Sequence, residues 1–343
     1  MWRVKLANIY YLIPDVAKRD YSLLELLRSI KRKKFKSHFS NKILGRSNPL
    51  GGVKVIYQHC MLLKEFGFEV IPVRLGVYEG NFYGFDVKVK SLNEVQQLMT
   101  EDDVVVIPEV LQNYYKCFIN QRRVIFVQAW FCLYEDHPLE SQKFKGLYTD
   151  CCYEHVMCCS KYLQKQLSVE PTEKVHLVSN YIDHDFFKEK SELRVENRVL
   201  MMPRKNPKNL KSIVEGISNL PVDIVYADRL SQDQLIVEYQ KSDVFIATGY
   251  PEGFGLPPLE AMACGAVVIG FTGGGASEFM IHEKTALVAN DGDVKKVIEY
   301  VEMVVKDKKL KEHLRSSGLE ISKKYNKEAT KKQLKEFIEL LAL

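Results

Sequence analysis

No apolar run in the 343 residues approaches the ~20 that a membrane-spanning helix needs, which excludes such a helix. The opening residues 1–13 are broken by polar side chains and carry no small-residue cleavage site. They read as a first strand and not as a signal peptide, so a cytoplasmic address is expected. Cysteine occurs eight times, but the C-x2-C spacing of zinc sites is missing. Cys60, Cys117, Cys132 and Cys264 stand alone, while Cys151-Cys152 and Cys158-Cys159 are adjacent, which is no disulfide framework. The thiols are expected to be reduced, and no metal is expected. Internal repeats and low-complexity tracts are also missing. Acidic residues are absent from residue 26 to residue 64, where Arg28, Lys31, Arg32, Lys33, Lys34, Lys36, Lys42, Arg46, Lys54 and Lys64 place ten cations. The whole chain carries only +5, so the remainder is net negative. Such asymmetry speaks about partners and not about fold. A solvated helix face and contact of residues 28–46 with an anionic membrane surface both fit it. Nucleic acid is not expected, because no nucleic-acid module accompanies the charge.

What is present is an ordinary globular composition, 46% hydrophobic and 27% charged, on a chain longer than one core usually serves. Strand-like segments near 5–13, 68–75, 102–108, 123–128, 154–159 and 174–179 alternate with helical ones, notably 52–66 and 109–119. The pattern repeats with strands near 198–202, 222–227, 243–248 and 267–271. Alternation of this kind predicts α/β architecture, with parallel sheets covered by helices on both faces. A charged stretch at 188–196 marks the linker, giving domains 1–190 and 191–325, with an amphipathic helix in 326–343. Ligands in open parallel sheets gather at the carboxyl ends of the strands.

The stretch Pro251-Glu-Gly-Phe-Gly-Leu-Pro-Pro-Leu-Glu-Ala-Met-Ala-Cys-Gly265 lies between two strands and places Glu252 and Glu260 eight positions apart. Gly253 and Gly255 permit a tight turn. Pro257 and Pro258 suit a first helical turn, and Gly265 supplies the stop. Glu260 is therefore expected in the first turn, with Glu252 in the loop before it. Carboxylates accept hydroxyl hydrogen bonds strongly, so the pair can grip sugar diols. Taken alone, Glu260 can also be read as complementing the helix dipole. Arg204, Lys205 and Lys208 form a cationic loop after the strand near 198–202, suited to offsetting phosphate charge or simply solvated. Gly51-Gly52 opens a helix whose bare N–H groups can face phosphate. Phe271-Thr-Gly-Gly-Gly-Ala-Ser-Glu278 is a glycine-rich turn before a helix expected near Ala276.

These residues together resemble the retaining glycosyltransferases of group 1, the family 4 type, whose signature E-x-G-F-G-L-P-x-x-E-A-M-A-x-G is matched without a gap from Glu252 to Gly265. The resemblance implies a GT-B fold: two Rossmann-like domains facing across a cleft, with a C-terminal helix returning to the first domain. It implies that the first domain binds the acceptor and the second the nucleotide sugar. Glu252 would lie by the donor sugar and Glu260 on the ribose, within a donor turn of Gly253, Phe254, Gly255 and Leu256. Arg204 would hold the diphosphate with Lys208 or Lys205, the spacing leaving both lysines open. The catalytic assignment falls on Glu252, Arg204 and Lys208. Gly51 and Gly52 would meet phosphate from the first domain. Gln128 stands where the family often has histidine, and Tyr181 where it usually has glycine. Glutamine can position a sugar hydroxyl but cannot titrate near neutrality. The implied activity is transfer from a nucleotide-diphosphate sugar co-substrate to an acceptor hydroxyl, with no separate cofactor. A glycan or lipid-linked acceptor in cell-surface glycan or glycolipid synthesis is the expected partner. A sugar-nucleotide epimerase of the same fold and a non-catalytic sugar-nucleotide binding protein stand as alternatives.

Overall fold

The computed structural model describes residues 7–14, 30, 51–75, 85–133, 152–167, 172–228 and 230–341. The basic segment 28–46, Ile30 apart, lies outside the described residues.

Two sheets form. The first takes strands Ile9–Ile13 (β1), Val70–Arg74 (β2), Lys90–Ser91 (β3), Val104–Pro108 (β4), Arg122–Val127 (β5), His155–Cys158 (β6) and Val175–Leu177 (β7), in the order β3-β2-β1-β4-β5-β6-β7. The second takes Arg198–Met201 (β8), Asp223–Tyr226 (β9), Val244–Ala247 (β10), Val267–Gly270 (β11) and Leu287–Val288 (β12), in the order β12-β11-β10-β8-β9, every neighbouring pair parallel. Helices cover them: Gly51–Glu65 (α1), Leu92–Gln96 (α2), Lys161–Leu167 (α3), Pro207–Ile217 (α4), Gln232–Lys241 (α5), Leu256–Ala263 (α6), Val294–Lys306 (α7), Lys308–Ser322 (α8) and Lys327–Leu340 (α9). The central strands are runs of Val, Ile and Phe buried on both faces, as parallel strands between helix layers must be.

Every strand expected from the sequence is present, with ends shifted or shortened by a few residues. The edge strands β3 and β12 were not expected, since two residues carry no periodicity. The helix expected at 109–119 is instead a 3-10 segment, Glu109–Cys117, kinked at Leu111 (φ −115°, ψ 16°) and preceded by Pro108, which offers no side-chain cap. Tighter 3-10 turns are what a short connector adopts when its first N–H groups lack a partner.

The residues gather into two compact units. One runs to Val127 and takes in Cys132–Met157 and Phe337–Leu343; the other comprises Gln128–Phe131 and Cys158–Glu336. In the first, Arg122 donates to Glu154 at 2.7 Å and to the Leu341 carbonyl at 2.5 Å, and the ring of His155 meets Phe337 edge-on. A fully buried His59 lies between Tyr11 and Phe126, and burial pushes its imidazole down to about 3. It stays neutral as a core residue.

The second unit packs α4 and α7 on its sheet through Val199, Met201, Leu210, Ile213, Val297 and Val301. At the amino ends of the strands, Asp243 is buried and receives Lys311 Nζ at 2.8 Å, Arg315 Nη2 at 2.6 Å and the Asn197 N–H at 2.8 Å. Arg315 also donates to the Gly265 carbonyl, so this cluster fastens α8 beneath the sheet. The carboxyl ends, on the opposite side, are left for the loops described next.

Candidate functional site

From β8 the chain steps outward to β9 and returns to β10 on the other side of β8, so the strand order reverses between β8 and β10. In open parallel sheets that reversal leaves a crevice beyond the carboxyl ends, because the two loops part in opposite directions. Arg204, Lys205 and Asn206 follow β8, and Thr248 to Gly255 follow β10. The glycine turn at 273–275 follows β11, the next strand.

Side chains join these loops. Lys205 Nζ makes an ion pair with Glu252 Oε1, and both groups stay partly exposed. Asn206 adopts the left-handed conformation (φ 49°, ψ 54°) just before Pro207 opens α4. Its amide donates to the carbonyls of Thr248 (2.8 Å) and Tyr250 (3.1 Å). Asn209 donates to the Tyr250 hydroxyl at 2.9 Å. The backbone of Glu252 is clamped to the glycine turn: its N–H donates to Gly273 O at 2.8 Å, and its carbonyl accepts from Gly275 N–H at 3.0 Å. Glu252 thus stands on a fixed main chain with its carboxylate directed to Lys205. Arg204 and Lys208 are exposed, and neither forms an ion pair among the described residues. Between the two candidate lysines, the structure brings Lys205 to the carboxylate and leaves Lys208 at the outer face of the first turn of α4.

Gly253 is required by close approach. A Cβ there would lie 1.7 Å from the carbonyl oxygen of Gln128, and the Gly253 carbonyl accepts from Ser160 Oγ at 2.6 Å. The obstacle is backbone, which cannot swing aside. Gly253→Ala is expected to cost about 1–3 kcal/mol or more, as overpacked sites do, seen as a lowered urea midpoint; an unchanged midpoint would refute this packing. The main-chain carbonyl of Gln128 packs against the turn at Gly253. Gly255, at φ 91°, occupies the position before α6 that an L side chain adopts only under strain.

The helix that follows begins at Leu256, so Glu260 is its fifth residue and not in its first turn. The prolines fall at the second and third helical positions, one residue later than a start at Pro257 requires. Glu260 is 6% exposed and accepts from the Tyr239 hydroxyl at 3.2 Å. Burial, then the charge of Glu260, pushes the Tyr239 phenol well above its ordinary value, so it remains a donor. The dipole reading of Glu260 fails, because the effect is confined to the terminal turn. Phe254 is buried between Phe279 and Tyr325, with ring centroids 5.6 Å away, so its ring serves packing. Gly51 and Gly52 open α1 in the first unit, as the sequence expects.

The helix expected near Ala276 is a single 3-10 turn, Gly275–Glu278. Glu278 reaches another element: its carboxylate accepts from the N–H groups of Lys161 (2.5 Å) and Tyr162 (3.3 Å), capping α3. Burial pushes this carboxyl up, and the two N–H bonds only partly offset it. Ser160 and Asn206 escaped the sequence reading. Their signals were there, a serine immediately before an amphipathic run and an Asn-Pro dipeptide, but both mark local turns and say nothing of the distant carbonyl each reaches.

A cationic loop, a clamped carboxylate and a glycine turn converge on the switch point of the parallel sheet of a Rossmann-like domain. Residues 204–320 match the family described as glycosyl transferases group 1. Among curated proteins, the serotype-specific mannosyltransferase WbdA of Escherichia coli is 28% identical over 141 residues, 40% of this chain and 17% of the relative. The chain therefore spans about a sixth of that protein's length in the match (17%). Among solved structures, sucrose-phosphate synthase from Thermosynechococcus elongatus superposes with a TM-score of 0.69 at 12% identity, covering 98% of this chain and 99% of that one. Anabaena HepE, solved in complex with UDP-glucose, gives 0.67 at 13% identity, covering 97% and 99%. Both run the length of the chain, and the fold is GT-B, with two Rossmann-like domains. No described helix is long and apolar enough to cross a membrane.

Proposed function

We propose that the protein is a retaining glycosyltransferase that moves a hexose from a nucleotide-diphosphate sugar to an acceptor hydroxyl. The observation that carries this reading is the Lys205–Glu252 junction at the switch point, inside the segment that matches glycosyl transferases group 1. The UDP-glucose complex of HepE and the mannosyltransferase name of WbdA support a hexosyl donor.

Arg204, Lys205 and Lys208 offset the two negative phosphates, and they do so increasingly as the bond from the anomeric carbon to the phosphate oxygen breaks. Charge compensation that grows toward the transition state is what accelerates transfer. Glu252 accepts hydroxyl hydrogen bonds from the donor sugar, and Glu260 takes the ribose. The acceptor oxygen bonds to the anomeric carbon on the face the leaving group vacates, and its proton passes to the departing phosphate oxygen. The three cations supply the compensation that a metal would otherwise give. Gln128 orients a sugar hydroxyl and moves no proton. We place the acceptor among glycans or lipid-linked sugars made at the cytoplasmic face of a membrane; the charge of residues 28–46 supports that placement.

Incubating the chain with a hexose nucleotide and a glycan acceptor, and reading product and donor by NMR, tests the proposal. A product with the donor's anomeric configuration is expected. Inversion at the anomeric carbon would refute the retaining course. Conversion of donor without acceptor would point to an epimerase, and binding without transfer or slow donor hydrolysis to a non-catalytic module.

A further inference from the structure

We propose that Asn206 is a positioning residue of the donor site, and that the ion pair it sets up exchanges on binding. The Lys205 ammonium leaves the Glu252 carboxylate for the diphosphate of a nucleoside-diphosphate sugar, freeing Glu252 for a sugar hydroxyl. This rests on the donor-site reading above.

Three observations support it. First, Asn206 sits between the cations Lys205 and Lys208 in a left-handed conformation, where asparagine is one of the few L residues tolerated. The turn lies between Lys205, whose ammonium pairs with Glu252, and the start of α4. Second, its amide uses both hydrogens on the carbonyls of Thr248 and Tyr250, so it joins the two loops on either side of the switch point. Thr248 Oγ1 returns a bond to the Lys205 carbonyl at 3.4 Å, so Lys205 is fixed from both of its ends. Third, the Lys205–Glu252 pair is partly exposed, at 40% and 24% for the two side chains. Pairs this wet are worth little, about 0–1 kcal/mol, whereas a diphosphate offers the same ammonium more negative charge and more acceptor oxygens. The exchange is therefore downhill for the lysine, and it occurs only if the two loops hold their spacing.

Asn206 performs two jobs, the left-handed turn and the amide tie. Glycine keeps the left-handed backbone and removes only the amide tie, so Asn206→Gly isolates the tie. If Asn206 acts through Lys205, the two substitutions are coupled, which a purely structural defect would not produce. UDP, GDP and dTDP are titrated into the wild type, and the one bound most tightly is carried to Asn206→Gly, Lys205→Met and the double variant. Asn206→Gly is expected to weaken that nucleotide at least tenfold, to raise donor KM more than it lowers kcat, and to leave the unfolding midpoint within a few degrees. In the Lys205→Met background the same change is expected to cost less than threefold. Equal losses in both backgrounds would show that Asn206 is structural only, overturning the proposal. So would wild-type affinity in Asn206→Gly. If the wild type binds none of the three nucleotides, the donor-site reading itself falls, and this inference with it.

Discussion

Asp243→Ala is expected to lower the stability of the second unit by about 3–5 kcal/mol, the range for removing one partner of a buried charge pair. Lys311 and Arg315 are 4% and 5% exposed, so the variant leaves Lys311 with only the neutral Asn197 Oδ1 as acceptor, and Arg315 with Glu312 and the Gly265 carbonyl. The cost is therefore chiefly the burial of the Lys311 charge without a carboxylate. Asp243→Asn keeps the shape and one acceptor, and is expected to lose nearly as much, because the missing element is charge. The same cluster dictates acid sensitivity. Burial raises the Asp243 carboxyl, but hydrogen bonds from Lys311, the Asn197 N–H and Arg315 outweigh it, and the net shift is downward. A depressed carboxyl contributes stability above its unfolded value, near the ordinary ~4 for aspartate, and loses it as pH falls through the folded value. Urea midpoints measured from pH 7 down to pH 3 should drop more steeply for the wild type than for Asp243→Ala. Parallel curves would contradict this account of the cluster.

On the proposed function, Glu252→Ala and Arg204→Ala are each expected to lower sugar transfer at least tenfold, which is about 1.4 kcal/mol or more of transition-state stabilisation. The fold should survive both. Arg204 is exposed, and the Glu252 side chain is 24% exposed in a pair of the kind that contributes at most about 1 kcal/mol. The Glu252 main chain is held by Gly273 and Gly275 whatever its side chain. Steady-state kinetics beside thermal unfolding separates the two effects. A tenfold loss with an intact midpoint assigns the residues to chemistry, and unchanged turnover in either variant removes that residue from the site.

The sheets were legible because their central strands are unbroken apolar runs, and each run between turn residues allows one reading. The turn at 252–260 was legible for a related reason. Two glycines, two prolines and two glutamates in one short stretch form a pattern that few backbones need, and its resemblance to a known signature carried the GT-B expectation. Side-chain destinations were not legible. Phe254 reads as part of a binding turn, yet its ring is buried against Phe279 and Tyr325, which lie far along the chain. Glu278 reads as the close of a glycine turn, yet it caps a helix more than a hundred residues earlier. Spacing alone left Lys205 and Lys208 equivalent. The left-handed turn at Asn206 separates them, directing one to Glu252 and the other outward along α4.

On the proposed function, the loops after β8, β10 and β11 form a nucleotide-sugar site. Isothermal titration of UDP-, GDP- and dTDP-hexoses into the wild type and into Arg204→Ala tests it most directly. One donor is expected to bind the wild type and to bind Arg204→Ala at least tenfold more weakly. No binding by any donor, or equal binding by both proteins, would contradict it.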